Sequence, residues 1–188
     1  MRTLLLAGGK SSRMGKDKAM MEVDGECCIS RVVNALYSSN EKPVRIAVSN
    51  TEYIKKYSEV IDSKINIEWV VDENQYAGPI ESIIENLEDP EFLKEDFIQL
   101  STVDVPWVTN DFFNCLKSSI KKEDDVLIPT DGENIHPLLS LFKPEVVLNK
   151  LREGSKKPLS IQFCEINYSL YQEDFKILKN VNYPQDLE

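Results

Sequence analysis

Between Gly9 and Ala19 the chain carries Lys10, Arg13, Lys16 and Lys18 against a single acid, Asp17. In a sequence with a formal net charge of -10 this is a local inversion of sign. The cationic stretch opens directly from an apolar run, Leu4 to Ala7, through the pair Gly8-Gly9. Glycine has no Cβ and allows positive φ, so successive backbone N–H groups can turn toward an anion. Arginine then meets phosphate as a planar fork and lysine as a mobile point charge. A strand that ends in such a loop points to a nucleoside triphosphate. It is neither of the two commonest glycine loops. A P-loop needs four residues between its glycines and then Lys-Ser/Thr, whereas five residues separate Gly9 from Gly15 and Lys16 is followed by Asp17. The dinucleotide fingerprint Gly-x-Gly-x-x-Gly is absent.

The loop lacks the hydroxyl that follows the lysine of a P-loop and binds the magnesium ion of the triphosphate. Asp104 can supply the ligand instead. It follows the apolar run Phe97 to Leu100, in the segment Ser101-Thr102-Val103-Asp104-Val105-Pro106. A carboxylate aimed from a rigid strand end suits Mg2+, which takes one or two carboxylates plus phosphate oxygens. Asp72 stands in the same relation to another apolar run, with an Asx-turn as its competing role.

Such residues converge only if the elements behind them form one sheet. Apolar runs alternate with helical patterns from end to end, which predicts an α/β fold with three α/β/α layers and a mainly parallel central sheet. Strands are expected at Thr3 to Ala7, Val44 to Ser49, Ile65 to Val71, Phe97 to Leu100, Val126 to Pro129 and Pro137 to Phe142. A short extended piece and turn covers Ala19 to Glu26. Helices are expected at Cys28 to Ser38, about Thr51 to Tyr57, from Pro79 through Leu87, Asn110 to Ile120 with Thr109 or Asn110 as cap, and Glu145 to Arg152. Ligands of open parallel sheets collect beyond the carboxyl ends of the strands. Gly8 to Lys18, Ser49-Asn50, Asp72 to Gly78 and Ser101 to Pro106 all directly follow strands, so they can share one site.

At 188 residues the chain reads as one domain, without repeat or linker, nucleotide-binding in its N-terminal part and acceptor-binding in its C-terminal part. Its 41% hydrophobic and 29% charged residues suit a soluble protein. No run approaches the roughly 20 apolar residues of a membrane span, and the N-terminus has no signal-peptide pattern. The four cysteines, Cys27, Cys28, Cys115 and Cys164, form no Cys-x-x-Cys pair, and one histidine is too few for a typical zinc site. Free thiols in a reducing cytoplasm are the expectation. The acidic balance argues against nucleic-acid binding.

The pattern Leu-Ala-Gly-Gly-x-Ser-x-Arg-Met-Gly-x-Asp-Lys, from Leu6 to Lys18, resembles the signature loop of the nucleotidyltransferases that join sugar or cofactor phosphates to nucleotides. With Gly8-Gly9 and Asp17-Lys18 it is most similar to the molybdenum cofactor guanylyltransferases of the MobA type. Gly78-Pro79, Asp104-Val105-Pro106, His136-Pro137 and Asn180-Val181-Asn182-x-Pro184 extend the resemblance over most of the chain.

The resemblance implies transfer of GMP from GTP to the phosphate of molybdenum-bearing molybdopterin, with Mg2+ on Asp104 and with Arg13 and Lys18 neutralising the leaving pyrophosphate. It places Leu6, Ala7, Gly8, Gly9, Lys18, Asp72, Gly78 and Asp104 against the nucleotide, Asp72 at the guanine or the ribose. Ser49-Asn50 would lie near the base, where the family more often has asparagine at the first position. His136, Asn180, Asn182 and Lys156 are implied on the acceptor side. His136 is equally read as a histidine capping a strand, and Lys156 as one of a solvated pair with Lys157. A phosphate acceptor already carries about 1.5 to 2 negative charges at neutral pH, so no general base is required. Beyond GTP and molybdenum-molybdopterin, the expected partners are molybdopterin-insertion proteins or apo-molybdoenzymes, with the chain a monomer or weak homo-oligomer, no nucleic acid and no membrane. Rival readings are another acceptor (cobinamide phosphate or a sugar phosphate), a CTP-dependent molybdopterin cytidylyltransferase, or a non-catalytic nucleotide-binding protein.

Overall fold

The structure is a computed structural model that describes residues 1–8, 17–38, 42–181 and 184–187. Gly9, Arg13 and Asn182, together with Lys10 and Lys16, lie outside the described residues.

The strands are β1 (Arg2–Leu6), β2 (Glu22–Val23), β3 (Glu26–Cys27), β4 (Val44–Val48), β5 (Ile67–Val71), β6 (Ile98–Thr102), β7 (Val126–Thr130), β8 (Leu141–Phe142) and β9 (Tyr168–Gln172). The helices are α1 (Cys28–Ser38), α2 (Thr51–Ser58), α3 (Pro79–Leu87), α4 (Pro90–Leu93), α5 (Asn110–Ser119), α6 (Pro144–Arg152), α7 (Leu159–Phe163) and α8 (Phe175–Leu178). Seven strands form one sheet in the order β5-β4-β1-β6-β8-β7-β9, while β2 and β3 make a separate hairpin. Within the large sheet only β8 runs antiparallel to its neighbours.

Continuous apolar runs are what a parallel sheet covered on both faces requires. Leu5 of β1 and Ala7 just after it face a core built with Ile29, Val33 and Phe113 of α1 and α5. Leu4 and Leu6 face the opposite core, with Ile83, Leu87 and Leu151 of α3 and α6. The three-layer expectation holds. From β1 the chain steps outward to β4 and β5, then returns to β6 on the other side of β1. That reversal opens a crevice at the carboxyl ends of β1 and β6, where ligands of such sheets bind.

Several expectations need correction. Pro137 to Phe142 is not one strand. Pro137–Leu139 is a 3₁₀ turn, closed by Ser140 N donating to the Pro137 carbonyl at 3.3 Å, and only Leu141–Phe142 is extended. Proline has no N–H for a ladder and its fixed φ suits a turn. Strand β6 runs on to Thr102, so Ser101 and Thr102 belong to it, and β5 begins at Ile67. The helix before the second basic loop starts at Pro144 and is followed by α7, β9 and α8, for which no element was expected. Strand β9 escaped notice because it is a half-exposed edge, Tyr-Ser-Leu-Tyr-Gln, with no sustained apolar run. Of the two capping candidates for α5 the structure selects Thr109, whose Oγ1 accepts from Phe112 N at 3.1 Å.

Candidate active site

At the carboxyl end of β1, Leu6, Ala7 and Gly8 line a cavity of about 300 Å³. Gly8 is needed there for space. A Cβ at this position would lie 2.9 Å from Asp72 Oδ2 and 3.3 Å from Ser49 N. The missing side chain therefore lets a carboxylate at the end of β5 lie against the backbone that leaves β1. Asp72 is buried and accepts a 2.8 Å hydrogen bond from Ser82 Oγ of α3. Burial raises its carboxyl above the ordinary value; the Ser82 bond works the other way and Glu85 adds to the rise. A buried carboxylate with no cationic partner among the described residues is an acceptor suited to sugar hydroxyls or base N–H groups.

Asp17 also lines the cavity and caps a 3₁₀ turn, Lys18–Met20. Asp17 Oδ1 accepts from Ala19 N at 3.1 Å and from the Tyr57 hydroxyl at 3.1 Å, and Oδ2 pairs with Lys56 Nζ at 2.8 Å. So held, the turn directs Lys18 across the crevice, its Nζ 3.3 Å from Asp104 Oδ2. Asp104 leaves the end of β6 in a turn fixed at several points. Its N–H reaches Thr102 Oγ1 at 3.4 Å, its carbonyl accepts from Val181 N at 2.7 Å, and Arg31 Nε of α1 donates to Pro106 O at 3.1 Å. Burial raises the Asp104 carboxyl and the Lys18 ammonium offsets part of that rise. Its side chain remains 35% exposed, so ligands can reach it.

The remaining wall is the loop from Asp72 to Gly78. Glu85 of α3 accepts from Glu73 N at 2.9 Å and from Asn74 N at 3.2 Å, which ties the loop down. Tyr76 (φ 61°) and Gly78 (φ 107°) both adopt positive φ. The loop thus turns sharply into α3 at Pro79 and presents Tyr76, Ala77 and Gly78 to the cavity. Exposed aromatic surface beside backbone amides is suited to a flat heterocycle.

A second, smaller cavity of about 140 Å³ adjoins the first and shares Thr102, Asp104 and Leu138 with it. His136 and Asn180 line it. His136 Nε2 lies 3.3 Å from Asp131 Oδ2. Asp131 Oδ1 accepts from the N–H groups of Asn134 at 2.7 Å and Glu133 at 2.9 Å. Those backbone bonds, then the histidine, hold the Asp131 carboxyl down to about 2. An ionised carboxylate only accepts, so Nε2 of His136 carries the proton. The ring is fixed as a hydrogen-bond donor at this nitrogen and is not set up there as a general base.

The structure thus gathers Leu6, Ala7, Gly8, Lys18, Asp72, Gly78 and Asp104 at the larger cavity, and His136, Asn180 and Asp104 at the smaller. It does not bring Ser49, Asn50 or Lys156 to either. Ser49 is fully buried behind Gly8, and the Asn50 carboxamide caps α2 by accepting from Glu52 N at 3.0 Å. Lys156 is exposed on the loop after α6, and its neighbour Lys157 pairs with Glu165. Asp17, Tyr76 and Thr102 fall within the segments expected at the site but had no role of their own, and Tyr57, Ser82 and Asp131 were not expected there. A carboxylate immediately before Lys18, and tyrosines at 53 and 57 one helical turn apart, were the available signals. Asp131 had been read only as a turn residue.

A parallel sheet with a cation and a carboxylate facing each other across its switch point, and two adjoining cavities, defines a nucleotide-using transferase. The model of the MobA-like NTP transferase domain family matches residues 3–159, and the chain belongs to that family: it is a nucleotidyltransferase. It is 25% identical over 189 residues to the molybdenum cofactor guanylyltransferase of Vibrio atlanticus, covering 98% of this chain and 92% of that one. The same enzyme of Vibrio cholerae is also 25% identical over 189 residues, with 98% and 88% covered. Among solved structures, molybdopterin-guanine dinucleotide biosynthesis protein A from Archaeoglobus fulgidus superposes with a TM-score of 0.74 at 22% identity, over 100% of this chain and 95% of that one. A nucleotidyl transferase from Methanothermobacter reaches 0.77 at 15% identity, over 98% and 93%. At these identities the structural neighbours establish the fold.

Proposed function

We propose that this protein transfers GMP from GTP to the phosphate of molybdenum-bearing molybdopterin and releases pyrophosphate. Support for the substrates comes from the relatives, which carry the name molybdenum cofactor guanylyltransferase over nearly the whole chain. The observation that carries the reaction type is the position of Asp104 and Thr102 on both cavities at once. A donor phosphate in one and an acceptor phosphate in the other would meet at that carboxylate.

An acceptor phosphate oxygen attacks the α-phosphorus in line, a new P–O bond forms, and the bond to the bridging oxygen breaks as pyrophosphate leaves. Gly8 and its neighbours admit the triphosphate, Lys18 neutralises charge on it, and Arg13 is proposed to do the same on the leaving group. Asp72 accepts from the nucleoside. His136 and Asn180 orient the acceptor, the imidazole with a proton that Asp131 keeps in place. Asn182 and Lys156 remain proposals on the acceptor side. Catalysis of this kind rests on positioning and electrostatics.

The donor set suits a hard divalent cation such as Mg2+. The described residues offer no group of three or more His, Cys, Asp or Glu side chains for a metal. One exposed carboxylate with ligand phosphates is, however, the way Mg2+ is usually held. Asp104 would hold it, and when bound it supplies neutralisation of phosphate charge. Among the described residues no helix is long and apolar enough to cross a membrane, and we place the enzyme in the cytoplasm with its cofactor substrates.

The test is pyrophosphate release with each of the four NTPs and Mg2+, with and without molybdenum-molybdopterin. Release confined to GTP plus molybdopterin supports the reading. Release that ignores molybdopterin and follows a sugar phosphate overturns the acceptor, and binding without turnover on any acceptor overturns the transferase reading for this chain.

A further inference from the structure

A serine inside a helix often donates back to the carbonyl four residues earlier. Ser58 of α2 does so at 2.7 Å, and Ser118 and Ser119 of α5 do so at 2.8 and 2.7 Å. Ser82 of α3 does otherwise. Its hydroxyl donates to Asp72 Oδ1 at 2.8 Å, a residue that stands just past the end of β5. Both side chains belong to buried residues, and both residues line the larger cavity. The other carboxylate oxygen, Oδ2, lies where only the missing side chain of Gly8 leaves room for it. The Asp72 backbone is fixed as well, its N–H donating to the Val48 carbonyl at 2.9 Å. The carboxylate is thus clamped between α3 on one side and the backbone that leaves β1 on the other.

A serine that only filled space on α3 could spend its proton on the Gly78 carbonyl one turn back. Reaching Asp72 instead fixes the plane of the carboxylate and favours its ionised form, which accepts and cannot donate. We propose that Ser82 is a positioning residue for the nucleoside, holding Asp72 in the cavity as an acceptor-only group. The inference rests on the reading that Asp72 accepts from the nucleoside, and adds the residue that keeps it able to do so. The surroundings leave this task to Ser82. Burial raises the Asp72 carboxyl, the Ser82 bond lowers it, and Glu85 of α3 raises it again. Beside it, β1 and β4 bring the backbone of Gly8 and Ser49. The other walls of the cavity carry Asp17, Lys18 and Asp104, with Lys18 paired to Asp104. Glu73 and Tyr76 belong to the loop that Asp72 itself begins.

Titration with GTP and Mg2+ over a pH series, on wild type, Ser82→Ala and Asp72→Asn, tests this without turnover. The phosphates of GTP titrate alike in all three, so differences between them belong to the protein. Wild-type affinity is expected to decline as pH falls through the Asp72 value, where the protonated acid stops being an acceptor only. Ser82→Ala is expected to bind several-fold more weakly at neutral pH, the scale of losing a hydrogen bond to a charged group, and to begin its acid decline at higher pH. Asp72→Asn should bind weakly throughout, with no decline beyond that of the phosphates. In the Asp72→Asn background, Ser82→Ala should cost almost nothing further. Melting curves establish that each variant is folded. A loss in Ser82→Ala that ignores pH, one that persists in the Asp72→Asn background, or no loss at all would mean a packing role and overturn the proposal. Asp72→Asn that binds GTP like wild type would take Asp72 away from the nucleoside and this inference with it. Wild-type protein that binds GTP with the expected pH dependence but transfers nothing would bring down the transfer reading alone.

Discussion

Lys18 Nζ lies 3.3 Å from Asp104 Oδ2, across the crevice between the first and the central return strand of the sheet. The two residues come from turns that are braced independently, one through Asp17, which accepts from Tyr57 of α2, the other by Arg31 and Val181. The pair therefore reports how accurately the two halves of the sheet are set against each other. A triphosphate would compete for the lysine and leave the carboxylate to a cation.

Lys18→Ala and Asp104→Ala should each lower kcat on the order of 10²–10³-fold. The double variant should be little worse than either, because the two act as a unit. Steady-state pyrophosphate release measures all three. Additive losses in the double variant would mean that the residues act separately.

Asp104→Asn should melt at a higher temperature than wild type at neutral pH. Burial raises this carboxyl in the folded protein. The folded state therefore prefers the protonated acid, and stability declines as pH rises through the raised value. Removing the charge removes that cost, at the expense of activity. A lower melting point would show that the Lys18 bond outweighs burial.

Gly8→Ala should weaken GTP binding about tenfold, since the new methyl would lie 2.9 Å from Asp72 Oδ2. In an Asp72→Ala background the same substitution should cost much less, because the obstructing carboxylate is gone. A double-mutant cycle by titration reads the difference.

Asp131→Asn should raise KM for the acceptor several-fold and leave KM for GTP unchanged, because His136 lines only the smaller cavity. The same variant carries a stability signature. Asp131 is held down to about 2 in the folded chain against about 3.9 unfolded. Its contribution is thus complete above about pH 4 and fades as pH falls toward 2. Acid unfolding of the variant should lack that part of the decline.

The site was legible where chemistry is local in sequence. Gly8, Lys18, Asp72, Gly78 and Asp104 each follow an apolar strand, and a parallel sheet aligns such ends whatever their separation along the chain. Asp17, Tyr57 and Asp131 were not legible, because their roles depend on partners 40 residues away on α2 or on backbone N–H groups that exist only in the folded turn. Ser49 and Asn50 show the converse. They stand at a strand end, but Ser49 is packed behind Gly8 and the Asn50 carboxamide is engaged as a helix cap. The strand expected from Pro137 onward failed for a local reason, the missing N–H of proline, whereas β9 was hidden because an edge strand need not be apolar.

The most direct test of the shared carboxylate is mass analysis of the acceptor after incubation of the protein with GTP, Mg2+ and molybdenum-molybdopterin. The wild-type protein should add one GMP to the acceptor with stoichiometric pyrophosphate, and Asp104→Ala, folded and still binding GTP, should add none at matched times. Acceptor modified at the wild-type rate by Asp104→Ala would contradict the account.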